Sequence, residues 1–109
     1  MDKPPSGTPL AQLDSLPEKG GIAIDWQDMP LLIVRSGQDV KCYLNICPHA
    51  GRSLALPDGR VFVHKETNII CPVHGATFDV ESGACTGGPA AGPLTTIPVE
   101  ITGNDVRVA

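Results

Sequence analysis

Two short segments decide the reading of this chain: Cys47-Pro48-His49-Ala50-Gly51 and Cys71-Pro72-Val73-His74-Gly75. Each sets one thiol and one imidazole one or two residues apart on a Pro/Gly turn. Each directly follows a strand-like stretch, Asn45-Ile46 before the first and Ile69-Ile70 before the second. Such a turn presents its side chains and backbone N–H groups toward one point, so two of them facing each other make a four-ligand site. The full pattern is C-x-H, twenty-one intervening residues, then C-x-x-H. Taken singly, a cysteine is often just a buried apolar residue and a histidine a surface group. Two matched Cys/His turns in a chain with three histidines and four cysteines read instead as a metal centre.

Outward from these turns the chain reads as short antiparallel strands. Leu31–Arg35 and Val40–Asn45 form the clearest pair, joined by Ser36-Gly37-Gln38-Asp39, which is favourable turn chemistry. In the second of these, Val40, Cys42 and Leu44 share one face and Lys41, Tyr43 and Asn45 the other, which predicts a half-buried strand. A second hairpin fits Arg60–Val63 with Asn68–Ile70, turning around Lys65-Glu66-Thr67. Short strands are expected near Ala76–Val80 and Ala84–Cys85, on either side of Glu81-Ser82-Gly83. A last hairpin joins Thr96–Ile101 to Asp105–Val108 through Gly103-Asn104. Leu10–Leu16 fits a short strand or one helical turn, and residues 1–9 a flexible tail. No internal repeat, heptad or amphipathic helix of useful length is present. The expectation is an all-β fold, a small antiparallel β-sandwich or barrel.

Composition agrees with this and narrows the function. The 109 residues suffice for one small domain. Its core is modest, so a bound metal would help stabilise it. Twelve glycines, eleven prolines and 4% aromatics suit turns and short strands. Eight basic against twelve acidic residues give a net charge of −4. No basic footprint exists for nucleic acid or anionic lipid. The polar, Pro-rich N-terminus leads into no apolar run that could act as a signal, and no stretch could span a bilayer. A soluble, cytoplasmic protein is expected. In that compartment four cysteines point to metal or redox chemistry more than to disulfides. Cys42 falls on an apolar strand face and reads as core, Cys85 as structural, and His64 as a surface residue at a turn.

Zinc accepts two Cys and two His, but its usual pattern pairs the cysteines together and the histidines together. Here each turn supplies one of each, which suits two chemically different irons, one on thiolates and one on imidazoles. With zinc still open on spacing alone, the sequence closely resembles the Rieske [2Fe–2S] family. The resemblance runs through the two Cys/His motifs, Ala76-Thr77-Phe78-Asp79, Ser82-Gly83, Gly88-Pro89, Gly92-Pro93-Leu94 and Ile97-Pro98-Val99, and covers about residues 10–109.

The resemblance implies one [2Fe–2S] cluster per chain, with Cys47 and Cys71 on the buried iron and His49 and His74 on the outer one. It implies a single domain over 10–109 with a two-loop cluster-binding subdomain. The cluster-binding loops lie at about 46–52 and 70–76, and a Pro loop covering the cluster at about 87–93. Two cysteines that join the cluster loops in some members are absent. Their places fall at Ser53 or a neighbour and at Val73, which points to the soluble ferredoxin branch. High-potential members carry a Ser just after the second-loop glycine and a Tyr two residues later. Ala76 and Phe78 stand there in this chain, so a low potential is expected. The implied role is a one-electron carrier between a flavin reductase and a terminal oxygenase, docking through the small apolar rim of Pro48, Ala50, Pro72, Val73, Pro89 and Ala90. Catalysis by the chain alone would need a mononuclear iron with two further histidines, and only His64 is spare. No small-molecule substrate is expected. The alternative is a small Rieske-like subunit of an assimilatory nitrite reductase or another oxidoreductase complex.

Overall fold

The computed structural model describes residues 4–17, 19–27, 29–36, 39–46, 53–56, 59–64, 68–71, 75–88 and 92–109. Eleven strands run in the order β1 (Pro9–Gln12), β2 (Lys19–Trp26), β3 (Met29–Ser36), β4 (Asp39–Leu44), β5 (Arg60–His64), β6 (Asn68–Ile70), β7 (Thr77–Asp79), β8 (Cys85–Gly87), β9 (Thr96–Ile97), β10 (Val99–Thr102) and β11 (Asp105–Val108). Among the described residues the only helical element is one 3-10 turn, Leu13–Ser15. The Leu10–Leu16 segment is thus both of the things its sequence allowed, the end of a strand and then a turn.

The strands form an antiparallel three-stranded sheet, β1-β11-β10, and an eight-stranded one, β8-β7-β6-β5-β2-β3-β4-β9. The larger sheet is organised by β3. Its run Leu31-Leu32-Ile33-Val34 is apolar at every position, the pattern of a strand covered on both faces. Side chains alternate, so Leu31 and Ile33 enter one core with Val40, Cys42, Ile97, Val106 and Val108. Leu32 and Val34 enter a second with Tyr43, Leu54, Ile69, Cys71, Ala76 and Phe78. The first core lies under the three-stranded sheet. The second lies under the hairpins that carry the Cys/His turns.

This corrects the half-buried reading of β4. Tyr43 is fully buried and Asn45 is 5% exposed, because the β5–β8 hairpins cover the face that the alternation left to solvent. Strands β4 and β7 are far apart in the sheet order, yet the Tyr43 hydroxyl donates to the Val80 carbonyl at 2.6 Å. The large sheet therefore curls until its two halves meet, as the sandwich or barrel expectation requires.

The remaining expectations fare unevenly. The Arg60–Val63/Asn68–Ile70 and β7/β8 hairpins form in antiparallel register. The last hairpin divides at Pro98: β9 joins β4, and only β10 pairs with β11. Proline lacks the N–H that one continuous strand would need there. The eight-residue β2 has no counterpart in the sequence reading. Gly20-Gly21 hid it, although a Cβ at Gly21 would stand 2.7 Å from the Ile33 carbonyl oxygen, so the close β2–β3 pairing needs that glycine. Of the segment expected to form a tail, Met1–Lys3 lie outside the described residues. Further on, the Gly7 N–H donates to the Val108 carbonyl and the Val108 N–H to that of Thr8, at 2.7 and 2.9 Å.

Burial raises the Cys42 thiol from 9.0 to about 12. The folded value lies above the unfolded one, so the stability that the neutral thiol contributes is complete below pH 9 and is lost as pH climbs toward 12. Urea midpoints measured over that range should fall with pH, and Cys42→Val should flatten the fall. The slope that survives belongs to groups such as Tyr43, which burial, and then Asp79, Glu81 and Cys42, raise from 10.0 to about 12. An unaltered slope in Cys42→Val would mean that this thiol does not set it.

Candidate metal centre

Each sequence-selected turn springs from the end of a strand in the second core. Of the four candidate ligands the described residues include Cys71, one residue past β6 and fully buried. Cys47, His49 and His74 lie outside the described residues, as do Pro48, Ala50, Pro72, Val73, Pro89 and Ala90 of the expected rim. Among the described residues no group of three or more His, Cys, Asp or Glu side chains comes together.

The stems of the loops are well defined. The first loop leaves β4 through Asn45 and Ile46 and returns at Ser53 and Leu54. Asn45 closes its base: its Oδ1 accepts the Leu54 N–H at 2.7 Å and its Nδ2 donates to Ser53 Oγ at 3.0 Å. The Asn45 N–H itself donates to the Pro30 carbonyl on β3 at 2.9 Å. Sequence reading placed Asn45 on the outer face and assigned it no task. Its signal was a short amide side chain next to a Cys/His turn, a residue type that bonds readily to nearby backbone.

Backbone hydrogen bonds close the described ends of the second loop. The Cys71 N–H donates to the Ala76 carbonyl at 2.8 Å, and the Gly75 N–H to the Cys71 carbonyl at 3.0 Å. Gly75 adopts φ +76°, a left-handed conformation that glycine reaches without strain. The third loop leaves β8 through Gly87-Gly88 and returns at Gly92. Gly88, at φ +78°, lies directly on the second loop: a Cβ there would stand 2.6 Å from Ala76 Cα. Leu54, Cys71 and Ala76 share one buried cluster and Gly88 abuts Ala76, so described stems of all three loops border the second core.

The other cysteines separate from this site. Cys42 lies in the opposite core, with its thiol held neutral by burial. Cys85 is half-buried and its Sγ donates to the Gly87 carbonyl at 3.5 Å. Cys42 and Cys85 are both outside any disulfide, in keeping with the core and structural readings.

An all-β fold that buries one thiol in the same core as the stems of its Cys/His-bearing loops suits a metal-binding electron-transfer type of domain. The family model for the Rieske [2Fe-2S] domain matches residues 7–98, and the chain belongs to that family. It is similar to the ferredoxin of carbazole 1,9a-dioxygenase from Nocardioides aromaticivorans, with 32% identity, TM-score 0.82, and 96% of this chain and 98% of that one covered. It is similar to a Sphingomonas yanoikuyae ferredoxin, with 29% identity, TM-score 0.79, and coverage of 94% and 96%. It also resembles the 3-phenylpropionate/cinnamic acid dioxygenase ferredoxin subunit of Escherichia coli, at 28% identity over 85% of this chain and 83% of that protein.

A Rieske domain carries a single [2Fe–2S] cluster, and the residues present fit one. Two thiols and two imidazoles are the donor set that such a centre requires. The thiol that the structure describes is shielded from water, where a thiolate-bound iron belongs.

The contact between the second and third loops gives a prediction. Gly88→Ala meets both a left-handed φ and the Ala76 backbone, whereas Gly103→Ala meets only φ +63° with open space around it. Gly88→Ala should lose about 1–3 kcal/mol more stability than Gly103→Ala in urea melts. It should also speed hydrogen exchange at the Cys71 and Gly75 amides. Equal losses in the two variants would mean that the loops do not press on each other.

Proposed function

We propose that this chain is a cytoplasmic Rieske ferredoxin, a one-electron carrier that passes electrons from a flavin reductase to a terminal oxygenase. The observation that carries the reading is that stems of the three loops border the core that holds buried Cys71, in a chain whose relatives are ferredoxins of dioxygenase systems. We assign Cys47 and Cys71 to one iron and His49 and His74 to the other. Bound there, the cluster supplies a reversible one-electron couple. The chain's own part is to bury the thiolate side and hold the loops closed. We take the working unit to be a single domain. Among the described residues no helix is long and apolar enough to cross a membrane. The nitrite-reductase alternative is not favoured, because these relatives are components of oxygenase systems.

The ligand assignment predicts that Cys47→Ser and His74→Ala each abolish the Rieske-type visible and EPR spectrum of the purified, reconstituted protein. Because metal binding is also folding free energy, both variants should lose protection from hydrogen exchange at residues 71 and 75. Full iron content in either variant would refute the assignment. A colourless wild type with stoichiometric zinc would refute the cluster.

Potential follows from the same residues. Rieske centres span about −150 to +300 mV, tuned by hydrogen bonds to sulfur and by exposure. Ala76 and Phe78 are fully buried in the cluster that contains Cys71, and neither carries a hydroxyl. Without such donors more negative charge stays on sulfur and the reduced state is disfavoured, so the potential should fall at about −150 to 0 mV. If a new hydroxyl favours the reduced form by ~1 kcal/mol, Ala76→Ser and Phe78→Tyr should each raise the potential by roughly 40 mV. A wild-type value above about +150 mV contradicts the low-potential reading.

A further inference from the structure

Lys41 and Tyr43 on β4 and Asn45, one residue past its end, follow one another at alternate positions, and each reaches the loop-bearing half of the molecule. The Lys41 ammonium lies 3.7 Å from the Glu81 carboxylate. The Tyr43 hydroxyl bonds to the Val80 carbonyl. Its ring covers Gly83 so closely that a Cβ there would stand 2.8 Å from Cε1. Asn45 bonds to Ser53 and Leu54.

The first two residues grip the turn between β7 and β8. Strand β7 leaves the second loop and β8 enters the third, so a hold on this turn is a hold on both. The hold extends to the far stem of the third loop, since the Gly83 carbonyl accepts the Leu94 N–H at 2.8 Å. Asn45 grips the first loop. One strand thus touches the supports of all three. Its pairing with β3 and β9 uses backbone groups, so the phenol and the amide are not needed for the sheet. A buried amide is costly unless bonded, and both bonds of the Asn45 side chain go to the first loop.

We propose that this side of β4 is the positioning device of the cluster site. Tyr43 and Asn45 are positioning residues that fix the β7–β8 hairpin and the first loop at one separation, so that the two Cys/His turns meet the same cluster. The proposal rests on the ligand assignment above. Release of either grip removes one support of the cluster loops and alters the cluster's hydrogen bonding and exposure, the determinants of potential. Lys41–Glu81 contributes little, because both side chains are solvent-accessible.

The test uses the cluster-loaded protein. Tyr43→Phe and Asn45→Ala should each speed cluster loss to a chelator by about fivefold, the worth of one buried hydrogen bond. Each should also shift the midpoint potential. Arg35→Ala serves as control, because it removes bonds to the Leu13 and Leu16 carbonyls away from the loops. It should lower Tm and leave the potential and the rate of cluster loss unchanged. If Tyr43→Phe and Asn45→Ala behave as Arg35→Ala does, the two residues serve only the fold and the proposal is overturned. Should Asn45→Ala not fold, the exposed Ser53→Ala breaks the same closure and is judged by the same readouts. The ligand assignment is read separately, by the EPR signal of the wild type and its absence in His74→Ala, so the two failures are distinguishable.

Discussion

The pleat of β3 and β4 is the constraint on which the rest of the structure depends. Neighbouring residues of an extended strand must point to opposite sides, and here both sides are cores. Leu31 and Ile33 with Cys42 belong to one, and Leu32 and Val34 with Tyr43 to the other. A slip of one residue in the β3–β4 register would exchange these sets. It would put the Tyr43 phenol into the first core and the Cys42 thiol against the Val80 carbonyl. Register is therefore fixed by both cores at once, and the loops inherit that precision because Asn45 lies at the end of β4.

How much of this was legible in the sequence depended on how local the cause was. The β5–β6 and β7–β8 hairpins are written in consecutive residues: polar turn segments, Lys65-Glu66-Thr67 and Glu81-Ser82-Gly83, between short runs of strand-forming residues. Strand β2 was illegible because its glycines have no propensity to show. What they provide is space, as at Gly21, and space is visible only once Ile33 and Val34 lie opposite. The burial of Tyr43 and Asn45 was equally hidden. Period-two patterning says that the two faces of a strand differ. It does not say whether a later hairpin will cover the more polar one. For the site itself, residue types and spacing pointed to a metal centre, and the resemblance supplied the cluster and the roles of Cys47, His49, Cys71 and His74. The closure of the loops was not foreseen, because the Asn45 bonds span eight and nine residues.

The cysteines show why position rather than residue type carries the chemistry. In mid-strand Cys42, apolar neighbours on every side raise the cost of a thiolate, so the thiol stays neutral over the whole physiological range. Cys71 is as deeply buried, but it sits where a strand gives way to a loop. Strand ends next to Gly-containing turns offer backbone N–H groups outside the sheet ladder, and those can stabilise anionic sulfur. A buried thiol is thus better placed to become a ligand where the regular ladder stops. Two Cys/His turns, each at the end of a strand, are the sequence form of that rule.

Loop closure offers a similar argument about how the family's architecture is upheld here. The resemblance implies that some members join their cluster loops through an additional disulfide, whose places fall in this chain near Ser53 and at Val73. Ser53 has a different task. Its Oγ accepts the Asn45 amide and also the Ala55 N–H at 3.0 Å, closing the first loop on itself rather than tying it to the second. Among the described residues, the two loops are related through what both are attached to, namely the second core and β4. A disulfide fixes separation by covalent length and survives only where the compartment is oxidising. A buried hydrogen-bonded strand fixes it by packing, independently of redox conditions. For a carrier whose own centre changes oxidation state, support that does not respond to potential keeps the geometry of the site the same before and after the electron arrives.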